Sequence, residues 1–197
     1  MDTADNLVDF GFTRVVVPAG AHVCQIFEDD EERSDAFLRF LLKGLELREL
    51  CAGFSDAIGE RDIAPLLPES HDPRSLRMIG ASRAYFHQNC FDPDRMIELL
   101  TSFHQDSRHS SFTGGRVIGE MSPIVQDLDG GDRLLEYEAR VNVLLRDRPM
   151  TVMCQYHAHK FSGSTLMDVL KANELMVVRG TIVHNPFYIP PETILAG

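Results

Sequence analysis

Apolar positions along this chain follow two rhythms that alternate from end to end. Short unbroken runs at residues 23–27, 50–54, 76–79, 117–118 and 150–156 read as buried strands. A strand covered on both faces has no polar side to show. Between the runs, apolar residues recur at helical spacing. Phe37, Phe40, Leu41 and Leu45 form one such stripe, Met96, Ile97, Leu100 and Phe103 a second, and residues 134–145 the clearest amphipathic helix. The helix starts are marked as well. The acidic residues 28–32 complement the positive end of a helix dipole. Asp92 stands as a cap before Pro93, and Ser162-Gly163-Ser164 opens a helix reaching about residue 172. A shorter helix at 58–67 is stopped by Pro68. A loop runs through Tyr85, Phe86, His87 and Cys90, Gly130-Gly131 marks a turn, and residues 177–183 supply closing strands. Strands alternating with helices predict an α/β fold, a single-domain wound, mostly parallel sheet flanked by helices. Residues 1–14 read as a loosely ordered lead-in and residues 15–197 as the domain.

Composition narrows the function. The chain of 197 residues suits one domain with a substantial core. No apolar run reaches the roughly 18 residues that span a bilayer, and the acidic N-terminus lacks a signal core, so a cytoplasmic protein is expected. Cys24, Cys51, Cys90 and Cys154 form no Cys-x-x-Cys pair and read as reduced thiols, mostly buried. A formal net charge of −11 weighs against direct nucleic-acid binding. It favours an uncharged or cationic ligand, or a protein partner with a basic face.

The chemistry is read from strand ends, where open parallel sheets place their ligand crevice. The first strand runs into Glu28-Asp29-Asp30-Glu31-Glu32 where a nucleotide-binding sheet carries a glycine-rich loop with a lysine. No glycine falls between Cys24 and Gly44, so a tight anion cradle is absent and ATP hydrolysis is not expected. His22 and Cys24 share a face of the first strand, and Cys154 and Tyr156 share a face of the strand at 150–156. Glu120 ends a neighbouring strand, with Arg116 a candidate partner for its charge. Glu28, Glu120 and Tyr156 are expected around one pocket. No catalytic residue is expected. Ser162 reads as a helix cap, Cys154 and His157 point to opposite strand faces, and Glu136 and Glu138 diverge on their helix. Glu138 lies one turn before Asn142. Zinc-type spacings are absent, so neither a metal nor another cofactor is expected.

The motifs His22-Val23-Cys24-Gln25-Ile26-Phe27 with Glu28, Gly44-Leu45, and Arg116-Val117-Ile118-Gly119-Glu120-Met121 together resemble the MEDS family of sensory domains. Tyr137-Glu138 with Asn142, Cys154-Gln155-Tyr156, and His184-Asn185-Pro186-Phe187-Tyr188 extend the resemblance over residues 20 to 190. It implies a sheet related to the RecA/KaiC ATPases without a functional phosphate loop, and a role in sensing small organic signals. Such domains are often joined to DNA-binding or histidine-kinase modules, so output here is expected to pass to a separate regulatory partner, a kinase or transcription regulator. The combined expectation is a small-molecule-binding sensory domain that is not an enzyme. Its site would draw on His22, Cys24, Glu28, Arg116, Glu120, Tyr137, Glu138, Cys154 and Tyr156. The alternatives are a ligand-free acidic interaction module and a degenerate RecA-type nucleotide-binding protein, and a homodimer is left open.

Overall fold

The computed structural model describes residues 7–68, 71–109 and 111–196. Eleven strands and seven α-helices are seen among them. In chain order the first are β1 (Leu7–Asp9), β2 (Val16–Pro18), β3 (His22–Phe27), α1 (Asp30–Glu46), β4 (Leu50–Phe54), α2 (Glu60–Ile63) and β5 (Leu76–Ile79). Then come α3 (Ala81–Tyr85), β6 (Phe86–His87), β7 (Cys90–Phe91), α4 (Pro93–His109), β8 (Gly115–Glu120), α5 (Leu134–Asp147) and β9 (Thr151–His157). The last are α6 (Gly163–Ala172), β10 (Leu175–Val178), β11 (Thr181–His184) and α7 (Pro191–Leu195). Seven strands form one sheet in the order β11-β10-β3-β9-β8-β4-β5. All neighbours are parallel except the β10–β11 hairpin, whose turn residues Arg179 and Gly180 both have positive φ. The α/β sheet expected from the sequence is therefore the one found. Among the described residues, no helix is long and apolar enough to cross a membrane.

Two apolar layers hold the sheet. Val23, Ile118, Met153 and Val177 face α1, where Phe37, Phe40 and Leu41 cover them. Cys24, Val117, Val152, Cys154 and Tyr156 face the other way, beneath α4, α5 and α6. Period-two alternation sets this division, because the central strands β3, β4, β8 and β9 are buried on both sides. The helix starts behave as their residues dictate. Asp29 caps α1, its carboxylate accepting the Glu32 N–H at 2.8 Å. Ser162 caps α6 by accepting the Thr165 N–H at 3.1 Å.

Three expectations need correction. Residues 7–14 are not a loose lead-in. Leu7–Asp9 pairs antiparallel with Val16–Pro18, and Phe10 is fully buried against Phe40 at 5.1 Å between ring centroids. Residues 1–6 lie outside the described residues. The loop expected from Tyr85 to Cys90 contains α3 and a small β6–β7 hairpin, whose turn residues Gln88 and Asn89 both adopt positive φ. That is a two-residue turn built without the usual glycine, which hides it from composition. The helix expected over 58–67 is one α-turn, Glu60–Ile63, followed by a 3₁₀ turn, Ala64–Leu66.

Gly44 shows how the layers meet. It lies inside α1, where glycine costs about 1 kcal/mol relative to alanine. A Cβ placed there would lie 2.6 Å from Cys51 Sγ and 2.8 Å from Arg116 Cδ. The helix runs too close to β4 and β8 for any side chain. Gly44→Ala is therefore expected to lower stability by about 1–3 kcal/mol in urea unfolding, despite alanine's better helix propensity. A stabilised variant would show that the sheet yields at this contact.

Candidate functional site

The sequence-derived residues separate into three groups, divided by the sheet and by its two ends. The first group lies under α5 and α6. His22 and Cys24 on β3 and Cys154 and Tyr156 on β9 all face these helices, with Cys24 and Cys154 directly opposite in the parallel register. Glu138, one of the buried residues of α5, reaches down to them. Its carboxylate accepts the Tyr156 hydroxyl at 2.6 Å and the Asn173 amide at 2.8 Å. His22 Nε2 lies 3.5 Å from Glu138 Oε2 and 3.4 Å from Cys154 Sγ. Its Nδ1 lies 3.1 Å from Asn142 Oδ1. His22 is 4% exposed and Glu138 not at all, so water does not solvate this carboxylate. Its protein donors must do so.

Around these groups stand aromatic walls. Tyr137 packs edge-on against Phe91 at 5.6 Å and Tyr85 at 6.4 Å, and Tyr156 packs against Phe161 at 5.3 Å. The surroundings shift the site's titrations. Burial, with the Glu138 charge adding to it, pushes the Cys24 and Cys154 thiols and the Tyr156 phenol well above their ordinary ranges. Burial pulls His22 down, against the opposing pull of Glu138. Cys51 is pushed up by burial too. All four cysteines are free, and only Cys90 is not fully buried. In native protein at neutral pH, an aromatic disulfide reagent is expected to react promptly with one thiol, Cys90, and with all four after unfolding. Rapid modification of Cys24 or Cys154 in the folded chain would overturn this.

The second group lies on the opposite face, at the carboxyl ends of the strands. Glu120 accepts the Arg33 guanidinium at 3.0 Å and the Ser55 hydroxyl at 2.7 Å. Gln155 donates to Gln25 at 2.7 Å and to the Arg33 carbonyl at 3.0 Å, tying β9, β3 and α1 together. Glu120 pairs with Gln155 in the register, one residue out of phase with Tyr156, so the pocket expected to join Glu120 and Tyr156 does not form. Glu28 is exposed at the end of β3 and joins neither group.

The third group is Arg116, buried at the start of β8. Four residues along a strand span roughly 13 Å, so it cannot neutralise Glu120 as the sequence suggested. It donates to Glu49 at 2.6 Å and to the carbonyls of Asp9 and Phe40, each at 3.0 Å. The guanidinium also lies 4.7 Å from the Phe40 ring centroid.

Several partners escaped the sequence reading. Asn173 is the α6 C-cap, and its side chain holds Glu138. Arg33 and Ser55 carried no motif at all. A polar residue inside an apolar run or stripe is a faint signal of such a role, and Arg33 near the start of α1 fits it.

At the head of α1, where an anion would bind in a nucleotide-binding sheet, Asp29 already occupies the free N–H and Asp30, Glu31 and Glu32 fill the first turn. The model of the family described as MEDS, MEthanogen/methylotroph, DcmR Sensory domain, matches residues 21–172. No curated protein matches the chain. Among solved structures, a KaiC-like protein from the hyperthermophilic archaeon Pyrococcus horikoshii OT3 is similar at 13% identity and TM-score 0.60, over 87% of this chain and 79% of that one. The flagellar accessory protein FlaH from Methanocaldococcus jannaschii is similar at 12% identity and TM-score 0.56, over 84% and 76% of the two chains. These likenesses establish a fold of RecA/KaiC type.

Proposed function

The chain belongs to the MEDS family of sensory domains, and from that premise we propose that it binds a small organic signal and reports its presence to a separate regulatory protein in the cytoplasm. The observation carrying this reading is the convergence of His22, Glu138, Cys154 and Tyr156 inside an aromatic wall. Small-molecule sites are built in this way, with apolar surroundings and a few placed polar groups. Tyr156 and Glu138 would orient a polar end of the ligand, and Tyr137, Phe91 and Phe161 would bury its carbon. A ligand shifts output only as far as it prefers one state of the domain. The self-capped acidic head of α1 supports an organic signal over a nucleotide.

The test is a thermal-shift panel of small alcohols, halocarbons, carboxylic acids and amines. At least one class is expected to raise Tm in a saturable way, and Tyr156→Phe is expected to weaken that response. No stabilisation by any class, or tight binding of ATP with magnesium, would defeat the reading.

A second reading has its own observation. Glu28, Asp29, Asp30 and Glu31 are all exposed together at the carboxyl end of the sheet. That surface suits docking to a basic partner without any ligand. Capture of a kinase or transcription regulator that is lost at raised salt, and is unaffected by the organic panel, would favour it.

A further inference from the structure

His22, Glu138 and Cys154 come from three different elements, yet one ligand atom of each lies within 4.8 Å of the others. From this geometry we infer that the domain holds a divalent transition-metal ion of zinc type between His22 Nε2, Glu138 Oε2 and Cys154 Sγ. The ion would sit in the same cluster on which the sensory reading rests, but its binding requires no organic ligand.

The distances fit. Zinc bonds of about 2.0–2.3 Å arranged tetrahedrally put neighbouring ligand atoms roughly 3.4–3.6 Å apart. His22 Nε2 is 3.4 Å from Cys154 Sγ and 3.5 Å from Glu138 Oε2.

The tautomer fits as well. Asn142 Nδ2 donates to the carbonyls of Glu138 and Ala172, which leaves Oδ1 facing His22. His22 Nδ1 must therefore carry the proton, and the Nε2 lone pair points at the other two ligands. A hydrogen-bond acceptor that fixes the far nitrogen of a ligating histidine is the usual outer support of a metal site, and the Asn142 amide oxygen fills that place here. Glu138 is held in the same manner by Tyr156 and Asn173.

Charge gives a third argument. Two acceptors, the Nε2 lone pair and a carboxylate oxygen, face each other in a dry interior. Among the described residues, the ion pair of Glu138 is with His22 alone. A dication would neutralise one carboxylate and one thiolate. The metal–sulfur bond forms as the Cys154 S–H bond breaks, and the proton leaves to solvent. A borderline set of imidazole, thiolate and carboxylate selects zinc or a similar ion over magnesium or calcium. Cys24 is not in the converging set, so three protein ligands leave a fourth position for water or a small donor.

The site is buried, so the experiment loads metal during folding. Protein expressed with cobalt(II), or refolded from denaturant with it, is expected to bind one ion per chain. It should show the near-ultraviolet thiolate-to-cobalt band and the intense visible bands of a tetrahedral ion. Cys154→Ser should abolish the near-ultraviolet band, and Cys24→Ser should leave it intact. Asn142→Ala, which touches no metal, should weaken affinity by about 10–100-fold in competition with a chromophoric chelator. Should Cys154→Ser fail to fold, wild-type protein still decides the matter. Its Tm should rise with zinc and fall back with chelator.

No cobalt in folded wild-type protein, cobalt without a thiolate band, or a band that follows Cys24 would each overturn the inference. A protein that binds cobalt but no member of the organic panel refutes the sensory reading and leaves this one standing. The reverse pattern refutes this one alone.

Discussion

Arg116→Ala is expected to lower the unfolding free energy by about 3–5 kcal/mol, the range for breaking a buried ion pair from one side. The guanidinium is fully buried, and Glu49, its partner at 2.6 Å, is nearly so, with its side chain 12% exposed. Removing the arginine leaves that carboxylate without a cation. It also removes the arginine's bonds to the carbonyls of Asp9 and Phe40, and it strips the Phe40 ring of its cation. These contacts join β8 to α1 and to the N-terminal hairpin, so the loss reaches three elements at once. Arg116→Lys restores charge but not the fork that serves Glu49 and two carbonyls together, and it should recover less than half of the loss. Urea unfolding at constant m-value measures both variants. A loss under about 1 kcal/mol for Arg116→Ala would show that Glu49 finds water or another cation readily.

Glu138→Ala should cost a similar amount, about 3–5 kcal/mol, for a different reason. The buried Tyr156 hydroxyl loses its acceptor, and the Asn173 amide keeps only its bond to the Val169 carbonyl, each lost bond costing about 1–3 kcal/mol. The truncation also opens a cavity against the sheet. Glu138→Gln keeps an acceptor for Tyr156 and turns an amide toward Asn173, whose buried Oδ1 has no other partner. Its cost should be about half that of alanine. The pair Tyr156→Phe and Glu138→Gln should couple by about 1 kcal/mol in a double-mutant cycle, because one removes the donor to the other's acceptor. Measurements on chelator-treated protein keep this network separate from any bound ion. If Glu138→Ala and Glu138→Gln are equally mild, the carboxylate is not what holds Tyr156 and Asn173.

Much of the fold was legible from the chain because strand and helix periods are local. Val117-Ile118 between glycines could only be a covered strand, and Asp29 and Ser162 marked helix starts by their own hydrogen-bonding chemistry. The same rule placed Cys154 with Tyr156, and His22 with Cys24, on shared faces. It did not say whether Glu120 lay in phase with Tyr156. A one-residue difference in register sends a side chain through the sheet, and here it put Glu120 with Arg33 rather than with Tyr156. The β6–β7 hairpin was missed because Gln88 and Asn89 take the left-handed turn without glycine.

The amino-acid order by itself determined the alternation of strands and helices, the two-sided burial, the missing phosphate cradle and the family. Those properties depend on neighbours a few residues apart. Only the tertiary structure decided that Glu138 meets His22 and Cys154, that Arg116 serves Glu49, and that α1 must be bare at Gly44. His22 and Cys154 are 132 positions apart, and no local period relates them. Their meeting follows from where α5 and α6 come to rest on the sheet, which the packing of whole layers sets.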